Sequence, residues 1–115
     1  MPAPAVPTLR RGDVVTVALQ GDLGKPRPAL VIQSDLFDVH PSVTILPITS
    51  ELRDAPLFRI ALPAGKATGL AKPSQAMVDK PQSVPREKIG SVCGRLDDET
   101  MLAVNRALAV FLGFA

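Results

Sequence analysis

Arg27 stands between two prolines in Gly24-Lys25-Pro26-Arg27-Pro28-Ala29-Leu30-Val31-Ile32-Gln33. Each proline fixes its own φ, and Pro28 drives Arg27 toward extended backbone. The guanidinium is therefore presented from a partly pre-ordered chain, at the mouth of an apolar run. Its planar fork matches phosphate, and arginine keeps its charge at neutral pH. With Lys25 beside it, the stretch reads as a candidate anion site. The competing reading is an arginine on a solvated strand edge, and the stretch alone leaves both open.

Two further polar sets lie beside prolines. Pro47-Ile48-Thr49-Ser50 ends an apolar segment with adjacent hydroxyls, and Lys72-Pro73-Ser74-Gln75 opens another. Each alone fits a capped strand end or a polar turn. Brought together, Arg27, Lys25, Thr49, Ser50, Lys72, Ser74 and Gln75 would form a cationic, hydrogen-bonding pocket. Such a pocket suits a crowded phosphate that gains negative charge during reaction. It holds no carboxylate pair, which argues against glycoside hydrolysis.

Other chemistries find little support. One histidine, His40, and one cysteine, Cys93, cannot make a standard zinc site, and no clustered carboxylates suggest Mg²⁺ or Ca²⁺. No metal or cofactor is expected. Gly24-Lys25 is not a P-loop, because Pro26 follows the lysine and the spaced upstream glycine is missing. Arg11-Gly12-Asp13 reads as a turn into a strand. Cys93 is expected to be a small buried hydrophobe, and His40 to be solvent-exposed. A lone cysteine and the lack of a signal-like N-terminus point to a cytoplasmic protein. No apolar run reaches the ~18 residues of a membrane span.

At 115 residues with 46% hydrophobic and 21% charged residues, the chain is one globular domain. Proline-rich residues 1–9 are expected to be a flexible tail, and residues 10–115 the domain. The net charge is +2, yet residues 53–95 hold eight Lys and Arg against three acidic residues. That permits a polyanionic partner. Four Phe with no Trp or Tyr leave few base-stacking platforms. A nucleic acid would have to be held by phosphate contacts and polar groups.

These residues must be positioned by short strands. Val14 to Leu19, Pro28 to Gln33, Val43 to Leu46 ended by Pro47, Phe58 to Leu62, Gln75 to Val78 and Ile89 to Cys93 read as six. The second is apolar on both faces and so central. Gly21 to Gly24 and Ser34 to Ser42 read as loops, and Pro85 to Lys88 as a helical turn. Asp97 then caps a helix over about 98–112, with Asp98 and Glu99 in its first turn and Gly113 as its stop. Met101, Val104, Leu108 and Phe111 form its apolar stripe. Short strands and one terminal helix predict a mostly β fold: a small antiparallel barrel capped by a C-terminal helix.

In order and spacing, the chain from Arg11 to Phe114 resembles the MazF/PemK (Kid) toxins of type II toxin–antitoxin modules. The resemblance rests on Arg11-Gly12-Asp13-Val14, Arg27-Pro28-Ala29-Leu30-Val31-Ile32 and Pro47-Ile48-Thr49-Ser50. It continues through Ser74-Gln75, Met77-Val78-Asp79, Ile89-Gly90 and Gly94-Arg95-Leu96-Asp97-Asp98-Glu99. It implies an SH3-like barrel of the PemK/CcdB kind and a homodimer. It also implies a metal-independent, sequence-selective endoribonuclease that cuts single-stranded RNA, chiefly mRNA. A MazE-like antitoxin would lie across the RNA groove. Arg27 and Thr49 would be catalytic, and Lys25, Ser50, Lys72, Ser74 and Gln75 would bind RNA. The loop before Arg27 lacks the family's Glu-Gln pair, and Ser74 stands where several members carry aspartate. A CcdB-like gyrase poison and a catalytically weak RNA- or antitoxin-binding barrel are the alternatives.

Overall fold

The computed structural model describes residues 8–19 and 25–115. The expected tail and the Gly21–Gly24 loop therefore lie largely or wholly outside the described residues. Leu9, at the end of the expected tail, is already buried in the core. The strands are β1 (Asp13–Ala18), β2 (Pro26–Val31), β3 (Ser42–Thr49), β4 (Arg59–Leu62), β5 (Ser74–Met77), β6 (Gln82–Pro85) and β7 (Ile89–Arg95). One helix, α1 (Asp98–Leu112), follows them. Short 3₁₀ turns occupy Asp35–Phe37 and Arg86–Lys88.

Every strand pairing is antiparallel, and the ladder runs β4-β5-β3-β2-β1-β7, with β6 also on β3. Among the described residues no pairing joins β4 to β7, so the expected barrel is rolled but not closed. The turn after β4 nonetheless meets the end of β7, where Arg95 N donates to Ala67 O at 2.7 Å.

Strand alternation sorts the apolar side chains into two cores. Val14, Leu30, Leu46, Ile48, Leu62, Ala76 and Val78 lie on one face, under Met101, Val104 and Leu108 of α1. Val15, Val17, Ala29, Val31, Val43 and Ile45 lie on the other, with Leu9, Val84 and Ile89. β2 and β3 thus bury both faces, which explains their near-continuous apolar runs.

Several expectations are corrected. Pro47 does not end β3. It pairs with Ala29 on β2 and falls between Ile45, the last residue paired with β6, and Ile48, the first paired with β5. In that gap no neighbour on the β5/β6 side requires an N–H, so proline is tolerated. The short strand β6 escaped the periodicity because Pro81 and Pro85 flank a segment with one buried side chain, Val84. Cys93 is exposed, not buried. It lies on β7, which among the described residues pairs only with β1, and register shifts there break the in-out alternation. Phe111 is 48% exposed although its spacing matched the stripe. The last turn of α1 runs past its cover, leaving Val110 and Leu112 exposed as well.

Close packing and capping follow local chemistry. Asp13 is buried and accepts from Arg95 Nη1 at 2.8 Å and from Arg10 N at 2.9 Å. The Arg-Gly-Asp tripeptide is thus the turn into β1. A Cβ on Gly94 would strike the backbone of Ala67 and Thr68, so β7 needs glycine there. Asp97 Oδ1 accepts from Thr100 N at 2.8 Å as N-cap, and Gly113 ends α1 at φ 85.

Two outcomes follow for stability. Gly94→Ala should cost about 1–3 kcal/mol through overpacking and lower the denaturant midpoint. Hydrogen bonding to Thr100, through its side chain and then its backbone N–H, holds the Asp97 carboxyl below its ordinary 3.8. A lowered folded value means the ionised cap stabilises the fold above the unfolded value and loses that effect as pH falls through the folded one. Asp97→Ala should therefore lower Tm at pH 7, with the gap to wild type narrowing below about pH 4.

Candidate active site

In an antiparallel ladder the start of one strand lies beside the end of its neighbour. β2 begins where β3 ends, and β5 begins on the other side of that same end of β3. Ala29 pairs with Pro47, and two residues further along each strand stand Arg27 and Thr49. Thr49 is itself paired with Gln75 on β5. Three chain segments thus meet at one end of the sheet.

They enclose an open groove of about 290 Å³ lined by Arg27, Pro28, Ile48, Thr49, Ser50, Leu70, Ala71, Lys72 and Ser74. Buried Ile48 and Leu70 supply apolar lining. Arg27 and Lys72 are exposed cations, and Ser50 is also exposed. Thr49 is half-buried, and its Oγ1 accepts from Glu51 N at 3.0 Å. That bond uses a lone pair and leaves the hydroxyl proton for donation into the groove. Ser74 is buried, and its hydroxyl donates to Lys72 O at 2.8 Å, tying down the backbone that carries the lysine.

The lining contains hydroxyls and cations but no carboxylate or imidazole. Its chemistry is anion binding and hydrogen-bond donation. Among the described residues no group of three His, Cys, Asp or Glu side chains is placed to hold a metal ion.

The groove therefore gathers five of the seven sequence-derived residues: Arg27, Thr49, Ser50, Lys72 and Ser74. Lys25 is exposed just before β2 and does not line it. Gln75 does not line it either, although it pairs with Thr49 and so shares that residue's face of the sheet. The Gln75 side chain lies with the segment after Thr49, where its Nε2 donates to Arg53 O at 2.9 Å. The apolar lining at Leu70 and the buried Arg59 beside Gln75 went unnoticed in the sequence. Arg59 carried one signal, as the lone charge in a short apolar strand.

If the groove binds phosphate, a 2′-deoxy oligonucleotide should perturb the NMR resonances of Thr49, Ser74 and the Arg27 guanidinium. The side-chain amide of Gln75 should move far less.

Comparison with known proteins gives a consistent picture. The family model described as PemK-like, MazF-like toxin of type II toxin–antitoxin system matches residues 10–112. A probable endoribonuclease MazF of Mycolicibacterium smegmatis is 48% identical over 108 residues, covering 93% of this chain and 99% of that protein. Endoribonuclease EndoA of Bacillus subtilis is 28% identical over 109 residues, covering 90% and 94%. Among solved structures, Mycobacterium tuberculosis toxin MazF-mt6 superposes with a TM-score of 0.76 at 24% identity, covering 88% of this chain and 96% of that one. A mycobacterial endoribonuclease solved in complex with its cognate antitoxin gives 0.77 at 22% identity, covering 93% and 97%.

Proposed function

Because the chain belongs to the PemK-like, MazF-like toxins of type II toxin–antitoxin systems, we propose that the Arg27 groove is where it cleaves single-stranded RNA, chiefly mRNA, sequence-selectively and without metal. The chain is a MazF-type toxin endoribonuclease, and that membership favours RNA cleavage over the gyrase-poison alternative. The observation that carries the reading of the groove is the convergence of Arg27, Thr49, Ser50, Lys72 and Ser74 around one opening.

The chemistry needs no protein nucleophile. The ribose 2′-oxygen bonds to phosphorus, the bond to the 5′-oxygen breaks, and a cyclic phosphate and a 5′-hydroxyl result. Water in the open groove takes the proton from the 2′-hydroxyl and supplies one to the departing oxygen, since the lining holds no carboxylate or imidazole. The phosphorane between these events carries extra negative charge. Arg27 stabilises it with a two-pronged, charge-assisted contact. Charged guanidinium has donors only, so accepting the 2′-proton is not its role. Thr49 donates to a non-bridging oxygen. Lys72 holds a flanking phosphate, Lys25 a phosphate beyond the groove, and Ser50 and Ser74 orient the ribose.

The same reading takes a second copy of the chain and a MazE-like antitoxin as partners. Exposed Val110, Phe111, Leu112 and Phe114 offer apolar area to an assembly. The open cationic groove suits an antitoxin segment lying where RNA would lie. No helix among the described residues is long and apolar enough to cross a membrane, and a cytoplasmic protein is the reading that fits an mRNA substrate.

A long defined RNA incubated with the protein in EDTA, with the 5′ ends mapped, tests this. Site-specific cuts are expected, and a 2′-deoxy nucleotide at the cut should abolish them. Thr49→Ala should slow cleavage by about 10²–10³, as loss of one transition-state donor does, and Arg27→Ala by at least as much. Lys72→Ala should weaken binding and reduce the slope of log affinity against log salt by about 0.7. RNA left intact by folded wild type refutes the proposal.

A further inference from the structure

The segment after Thr49 is held against β5 by two side chains that do not line the groove, Gln75 and Arg59. Gln75 Oε1 accepts from Arg53 N at 3.1 Å, and its Nε2 donates to Arg53 O at 2.9 Å. One amide therefore grips both backbone groups of a single residue, as a neighbouring strand would. Arg59 lies across the same face, since Arg59 pairs with Met77 and Ala61 with Gln75. Its guanidinium is buried, with the residue 8% exposed, and Nη1 donates to Glu51 O and to Gln75 Oε1, each at 3.0 Å. Glu51 N in turn donates to Thr49 Oγ1 at 3.0 Å. Hydrogen bonds from Gln75 and Arg59 thus fix the backbone at Arg53 and Glu51, and the Glu51 backbone carries that constraint on to the hydroxyl that faces the groove.

The far side of this segment is anchored separately. Arg59 N and Phe58 N both donate to Ala55 O, at 2.9 and 3.1 Å, and Val78 N donates to Phe58 O at 2.9 Å. What Gln75 and Arg59 add is the register of Glu51 and Arg53 against β5. The threonine side chain is stiff at χ1, so the position of Glu51 N selects where its hydroxyl proton points. Oε1 of Gln75 already accepts two bonds, so its acceptor capacity is spent within the chain, and one of the two Nε2 hydrogens is committed to Arg53 O.

We propose that Gln75 and Arg59 are positioning residues, which set the Thr49 hydroxyl through the 50–53 bend and do not touch RNA. This rests on the reading of the Arg27 groove as the RNA-cutting site. It replaces the RNA-binding role that the sequence assigned to Gln75.

The test pairs kinetics with amide hydrogen exchange on the full chain. In Gln75→Ala the single-turnover rate at saturating RNA should fall at least tenfold. The Kd for a non-cleavable 2′-deoxy oligonucleotide should stay within about twofold, and the cut sequence should not change. Exchange should quicken at Glu51 and Arg53 and stay slow in β1–β3. Arg59→Lys keeps the charge but reaches fewer acceptors, and should give the same pattern with a smaller rate loss. A wild-type rate in Gln75→Ala overturns the proposal. So does a changed cut sequence with exchange at Glu51 and Arg53 unaltered, which marks a base reader. Faster exchange throughout the sheet marks a merely structural residue and also overturns it. Wild-type protein that leaves RNA intact fails the site reading itself, an outcome separable from all of these.

Discussion

β3 serves two sets of neighbours, and Pro47 sits where it changes between them. Ser42 to Ile45 pair with β6 and Ile45 to Pro47 with β2, and both faces of this stretch are buried. Its last two residues belong to β5. A proline at a position whose N–H is needed by a neighbouring strand would break this ladder. At the changeover it is harmless, and its fixed φ keeps the chain extended on the way to Thr49. Everything at the groove depends on that handover. Because β3 leaves β2 at this point, the start of β2 with Arg27 is freed to face an opening. Because β3 then takes β5 as its neighbour, Ser74 and the preceding Lys72 are drawn to the same opening.

The electrostatic character of the site follows from which residues lie at these strand ends. The groove lining gathers two cations and three hydroxyls over buried apolar side chains. Buried Asp13 is engaged elsewhere, with Arg95 and the backbone of Arg10. A site of this composition binds an anion and stabilises one that grows more negative. It suits a reaction in which the substrate carries its own nucleophile.

Much of this was legible in the sequence, for identifiable reasons. β2 reads as central because Ala29 to Ile32 is apolar at every position, and it is buried on both faces. α1 reads clearly because Asp97, the acidic first turn and Gly113 are local signals that need no tertiary context. The groove residues could be singled out because each set of them stands within a few residues of a proline at a strand end. What escaped depends on distant partners. β6 exists because β3 offers it an edge, not because of its own pattern. Cys93 is exposed because β7 slips register against β1, and Phe111 because α1 outruns its cover. Gln75 stays off the groove lining because its amide is engaged by the backbone of Arg53, a partner 22 residues away that no local pattern shows.

The central claim is that Arg27 and Thr49 jointly hold the scissile phosphate. A crystal structure with an RNA oligonucleotide made 2′-deoxy at the cut tests it most directly. The account predicts that phosphate within hydrogen-bond distance of the Arg27 guanidinium and of Thr49 Oγ1, with Lys72 on a neighbouring phosphate and Gln75 still bound to Arg53. A scissile phosphate seated on another face, with Arg27 and Thr49 out of contact, would contradict it.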